Sequence, residues 1–246
     1  MKKITKISAF LFGIFPLFVI AANDDNLIDP KLTEEWKAVV KVDTSKSIPS
    51  DAIVLFDGKD FSQWQHADGS EVKWTLADQA MTIKPGTSGI QSKEKFCDMQ
   101  LHIEWRSPEQ IASRTGQNGG NSGVFIQGRY EVQVLNSYNN ETYANGQAGA
   151  IYKQTAPLVN ATRPVMEWQS YDIIFTAPTF KANGALNTKA RVTVLHNGVV
   201  IQNNTEIDGA TTYRGAPTYY AHGCEALELQ DHGSLVSYRN IWARKL

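Results

Sequence analysis

Five histidines and two cysteines are all the imidazole and thiol ligands that this 246-residue chain offers. There is no His-x-x-x-His pair and no closely spaced Cys pair, so no strong zinc-type site is encoded. No glycine-rich loop follows a strand pattern, which argues against a nucleotide cofactor. Basic runs are missing beyond the first six residues, and 24 Lys and Arg meet 25 Asp and Glu for a net charge of -1. That balance excludes a nucleic-acid partner. After residue 50 no long segment repeats apolar residues at helical spacing. What is present is 18 Gly together with 6 Trp, 9 Tyr and 10 Phe. They are spread through short apolar runs, as in a turn-rich β protein.

The first residues read as an export signal. Lys2, Lys3 and Lys6 form a basic start, an apolar stretch runs from Ile7 to Ile20, and Val19 and Ala21 suit cleavage after Ala21. Gly13 and Pro16 interrupt the stretch, which is short for a spanning helix. No later stretch would span a membrane. The mature chain is therefore expected to be soluble, and periplasmic or secreted. Such a compartment permits a Cys97–Cys224 disulfide, with two free thiols as the alternative. Residues 22–50 form a polar lead segment. Asp29-Pro30 reads as a cap and first helical position, which predicts a short helix over Lys31–Val40. Residues 51–246 suit one domain with one core.

From Ile53 onward short runs alternate with turn residues. Strands are predicted at 53–56, 72–77, 80–84, 99–105, 122–128, 130–136, 171–177, 190–202, 226–230 and 238–246. The 190–202 run is a hairpin turned by Asn197-Gly198, a pair that supplies positive φ angles. About ten strands without crossover helices predict two antiparallel sheets packed face to face. Leu101, Ile103 and Trp105 share one strand face, and His102, Glu104 and Arg106 the other. Val132 and Val134 likewise oppose Glu131 and Gln133, and Leu227 and Leu229 oppose Glu228 and Gln230. Neighbouring polar faces of this kind suit sugars, because amides and carboxylates bond hydroxyls and aromatic rings cover C–H faces. Trp64, Trp74 and Trp105 are expected in the core. Two long segments, Ser107–Asn121 and Ser137–Trp168, are expected to be functional loops.

LFDGKDFSQW (55–64), LHIEWR (101–106), GGNSGVFIQGRYEVQVLNS (119–137), GAIY (149–152), LHNGVVIQNN (195–204) and LQDHGSLVSYRNIWARKL (229–246) occur in that order. Together they resemble the 3-keto-disaccharide hydrolase domain family over essentially all of 51–246. The resemblance implies an all-β, two-sheet antiparallel jelly-roll sandwich of the concanavalin A-like lectin/glucanase type. It also implies cleavage of glycosides oxidised to a ketone at C3, with a carbohydrate substrate and a sugar 3-oxidoreductase acting upstream. Carried over by position, it points to Glu104, Asn121, Glu131, Gln133, Tyr152, Gln230, Asp231 and His232 as one polar cluster. Arg239 and Asn240 match the family's closing pattern. Gln169, where relatives carry Asn, and Gln127, where relatives often carry Arg, depart from it and are expected to alter substrate choice or activity.

A C3 ketone acidifies the C2 hydrogen, so a base can start elimination of the group at C1. That route needs a base, a donor for the enolate oxygen and an acid for the leaving group. Glu131 or His232 is the candidate base, and Glu104 or Tyr152 the candidate donor. Asn121, Gln133, Trp168, Gln230, Asp231 and Arg239 are candidate substrate contacts. Each has a plainer reading: Glu104 a salt bridge with a neighbour, Asp231 and His232 a local turn, Asn121 a loop. An ordinary glycosidase would use Glu131 with a second carboxylate, but the strand runs Glu131-x-Gln133 into apolar Val134. A lectin-like binding domain is the third reading. No cofactor is encoded outright. A divalent ion such as calcium stays open if His102 and Glu104, or Asp231 and His232, converge.

Overall fold

The computed structural model describes residues 30–109 and 114–246, so the leader lies outside the described residues. The chain divides into two units, Met1–Lys41 and Val42–Leu246. In the described part of the first, Pro30–Thr33 form one 3-10 turn and residues 34–41 have no regular structure. The helix expected over Lys31–Val40 is absent. Trp36, Val39 and Val40 are all strongly exposed, and a helix this short is marginal without an apolar face packed on something.

The second unit is built from two sheets in which every strand pairing is antiparallel. The eight-stranded sheet comprises β1 (Ile53–Phe56), β3 (Thr75–Ala77), β4 (Ala80–Thr82), β6 (Met99–Arg106), β9 (Gln169–Thr176), β12 (Arg191–His196), β13 (Val199–Glu206) and β15 (Ser237–Lys245). Its order is β13-β12-β9-β6-β15-β4-β3, with β1 on β15. The five-stranded sheet runs β2-β5-β14-β7-β8. Its strands are β2 (Trp64–Gln65), β5 (Ile90–Phe96), β7 (Ser122–Ile126), β8 (Tyr130–Val134) and β14 (Glu225–Leu229). A small hairpin pairs β10 (Thr179–Phe180) with β11 (Leu186–Thr188). This is the jelly-roll sandwich expected from the sequence.

Period-2 patterning drives the packing. Leu101, Ile103 and Trp105 are fully buried while His102, Glu104 and Arg106 are not. They meet Val124, Ile126, Val132, Val134, Leu227 and Leu229 of the other sheet in one core. Each such side chain contributes roughly 1.5–3 kcal/mol by leaving water. Trp64, Trp74 and Trp105 are in the core as expected. β5 escaped the sequence reading because its outward positions, Gln91, Lys93 and Lys95, sit in a polar run. Its inward Ile90, Ser92 and Phe96 are buried nonetheless.

Two core tyrosines fasten the five-stranded sheet to its partner. Tyr171 on β9 donates to Gln133 O on β8 at 2.8 Å. Tyr238 on β15 donates to Ser122 Oγ at 2.7 Å, and Ser122 donates on to Gln230 O at 2.6 Å. Buried hydroxyls must be satisfied, so these bonds set the height of β7, β8 and the end of β14. Cys97 and Cys224 form a disulfide where β5 ends and β14 begins.

Candidate active site

Glu131 lies on the face of β8 opposite the core residues Tyr130 and Val132. Space for its carboxyl comes from Gly123 across the ladder: a Cβ there would stand 2.5 Å from Glu131 Oε1. A cleft of about 220 Å3 opens over it. Asn121, Gln133, Tyr152, Gln230 and His232 line the cleft with Glu131, so six of the expected site residues are brought together. Phe125, Thr211 and Tyr213 complete it. They went unpredicted, because Thr211 and Tyr213 belong to an irregular segment that only the tertiary fold lays against β8.

The walls are tied down by backbone bonds. Thr211 Oγ1 accepts from the Glu131 N–H at 3.0 Å, and the Tyr152 N–H donates to Glu131 O at 3.2 Å. Lys153 reaches Tyr213 O at 3.0 Å and lies 4.1 Å from the centre of its ring. Gln154 donates to Gly209 O and accepts from the Asp208 N–H, zipping the two segments together. Asn121 donates to Gln117 O at 2.7 Å. Gln133 is satisfied with its amide nitrogen turned inward, donating to Ser122 O at 2.9 Å and to Glu131 Oε1 at 3.1 Å. Gln230 Oε1 is buried without a protein partner among the described residues, an acceptor left for a ligand.

Burial pushes the Glu131 carboxyl up to about 8, helped by the charge of Glu228. Glu228 on β14 is itself raised by burial. It faces the same side of the sheet with Phe125 between the two; its outward position was read from the sequence, but not as part of the site. Tyr152 is raised by burial, by its 2.7 Å hydrogen bond to Tyr143 and by nearby negative charge, so its hydroxyl keeps its proton. His232 is exposed at the cleft edge.

The single polar cluster expected from the sequence is in fact two, on opposite outer faces of the sandwich. Glu104, Trp168 and Arg239 lie with the eight-stranded sheet, across the core from Glu131. Glu104 accepts from Arg239 Nε at 2.6 Å and Asn240 Nδ2 at 2.9 Å. Burial works to raise its carboxyl, but those two bonds and the Arg239 charge hold it below the usual range. The Trp168 ring meets two guanidinium groups, Arg106 at 4.7 Å and Arg239 at 4.1 Å from its centre. Asp231 is a turn residue: its carboxylate accepts the Thr87 and Gly233 N–H groups. The period-2 pattern assigns each residue an outer face but does not say which sheet owns that face.

The two departures from the family pattern are structural. Gln127 is buried and donates to Phe96 O. Gln169 is buried among Arg163, His196 and Asn197. Neither lines the cleft. Among the described residues no three His, Cys, Asp or Glu side chains converge to hold a metal. His102 Nδ1 is taken by Asp172 at 2.6 Å, Glu104 by Arg239 and Asn240, and Asp231 by backbone. All three are thus engaged by protein groups. A larger hollow of about 310 Å3 beside Pro85, Pro108 and Leu235 carries no residue of the acid–base set.

A crystal structure of a provisionally assigned glycosyl hydrolase from Parabacteroides distasonis ATCC 8503 superimposes on this chain with a TM-score of 0.83. The two are 47% identical, over 89% of this chain and 97% of the other. A second provisionally assigned glycosyl hydrolase from the same organism shares the fold, at 21% identity and a TM-score of 0.58, over 80% of this chain and 94% of its own. No curated protein matches the sequence. The family model described as a 3-keto-α-glucoside-1,2-lyase-like domain matches residues 51–244. With four-fifths of its length matched, and with the cleft residues lying inside that match, the chain belongs to the 3-keto-α-glucoside-1,2-lyase-like family of carbohydrate-active proteins.

Proposed function

We propose that the protein cleaves 3-keto-glycosides by elimination, with Glu131 as the base. The observation that carries this reading is the Glu131 carboxyl. It is buried, raised to about 8 and set among amides and hydroxyls. A carboxylate of raised basicity suits removal of a proton from carbon. In the proposed path Glu131 takes the C2 proton, and the electron pair moves into the ketone to give the enolate. The enolate re-forms the C3 ketone, a C1–C2 double bond develops, and the C1–O bond breaks. Tyr152, held protonated, donates to the enolate oxygen. His232 supplies a proton to the departing oxygen, and Gln230 and Asn121 bond sugar hydroxyls. The family description, which names a 1,2-lyase on an α-glucoside, supports the same bond and ring position. Glu104, across the core, drops out as donor.

The leader sequence and the Cys97–Cys224 bond support export to an oxidising compartment, and the chemistry requires an upstream oxidoreductase to make the ketone. One observation favours a second reading. Glu228 stands two strands from Glu131, which suits an ordinary two-carboxylate glycosidase. Turnover of matched native and 3-keto disaccharides, with and without chelator, separates them. Cleavage of the keto sugar alone, with an enone product, is the expected result. Cleavage of native sugar would replace the elimination reading with the glycosidase. Binding without cleavage of either would leave a lectin-like domain.

A further inference from the structure

The outer face of the five-stranded sheet carries more than the cleft uses. Strand pairing sets Glu131 opposite Phe125, Phe125 opposite Glu228, Glu228 opposite Gln91 and Gln91 opposite Gln65. Residues paired across antiparallel strands point to the same side. Their chain neighbours Tyr130, Val124, Leu227, Ile90 and Trp64 are in the core, so all five project outward. They form one row across every strand of the sheet, about 19 Å long at ~4.8 Å per strand step.

Hollows lie at both ends of this row. One is the Glu131 cleft; the other, of about 300 Å3, contains Gln65 and Lys93. The middle of the row is flanked by bare backbone. A Cβ on Gly89 would stand 3.3 Å from Glu228 Oε1, and one on Gly128 would stand 3.7 Å from Glu228 Oε2. Glycine at both positions leaves the half-buried carboxyl open to a flat ligand approaching the sheet. Among the described residues burial alone acts on the Glu228 carboxyl, with no cation beside it.

We propose that this row is the binding groove for a linear, neutral sugar chain of roughly three or four rings, running from Glu131 toward Gln65. Phe125 offers a face to ring C–H groups, while Glu228, Gln91 and Gln65 bond hydroxyls. The row itself holds no cation, so an acidic sugar would find no charge partner along it. The inference deepens the cleavage reading and rests on it only for where the scissile bond lies.

The test titrates the full chain carrying Glu131→Gln with unmodified α-1,4- and β-1,4-linked glucose oligomers of increasing length by calorimetry. Affinity is expected to rise about tenfold from disaccharide to tetrasaccharide in one linkage series. Gln91→Ala and Gln65→Ala, both surface changes, are each expected to erase that rise. Equal affinity at every length, no binding at any length, or a rise that survives both substitutions overturns the groove. Keto-disaccharide turnover is read separately on the unsubstituted chain. Its absence beside an intact length dependence sinks the cleavage reading and leaves the groove standing; turnover beside a flat length dependence does the reverse.

Discussion

Glu131 carries two pH-dependent consequences. As the base it must be ionised, so kcat/KM is expected to rise about tenfold per pH unit and level off above about 8. Were it the acid, activity would fall through the same range, and that profile would reverse the assignment. Glu131→Gln is expected to remove both the activity and this limb. The stability consequence has its own sign. The folded-state carboxyl sits at about 8 against a usual 4.5, so the fold holds this proton more tightly than the unfolded chain does. The stability this provides is complete below about 4.5 and is lost progressively as pH rises to about 8, by on the order of a few kcal/mol. Denaturant melts at pH 5 and pH 9 are expected to show that loss in the native chain and much less of it in Glu131→Gln. Equal pH dependence in both would remove burial of this group as the cause.

Strands β6 and β15 illustrate what an element can and cannot reveal. The alternation in 101–106 was legible because one face is apolar at every second residue, and the structure buries that face. The same alternation placed Glu104 correctly on an outer surface, yet it could not say that β6 pairs with β9 and β15 rather than with β7 or β14. Pairing across the eight-stranded sheet makes Glu104 a partner of Arg239, which stands opposite it in the register. Glu104→Gln is therefore expected to cost about 1–2 kcal/mol of stability through weakened bonds to Arg239 and Asn240. Turnover should stay within about twofold, since the cleft lies across the core. A loss of turnover matching that of Glu131→Gln, with stability unchanged, would return Glu104 to the chemistry.

The unit Val42–Leu246 is held by its hydrophobic core and by one covalent tie. The Cys97–Cys224 bond spans 127 residues of sequence, so it removes much freedom from the unfolded chain. Replacing both cysteines by alanine is expected to cost about 3–5 kcal/mol, read as a lower denaturant midpoint with an active folded state. A midpoint equal to that of the native chain would mean that the bond merely decorates the paired ends of β5 and β14.

The family resemblance pointed to the six cleft residues; period-2 patterning and turn residues determined the all-β sandwich, most of its strands and the core tryptophans. They sufficed because burial of alternate side chains is a local property of each strand. The disulfide was left open, since spacing in sequence says nothing of distance in space. Strand order, the division of polar residues between two outer faces, the row through Phe125 and Glu228, and the laying of Thr211 and Tyr213 against β8 were decided by tertiary structure alone. Each depends on which strand hydrogen-bonds to which, and that choice is made by the packing of the whole core.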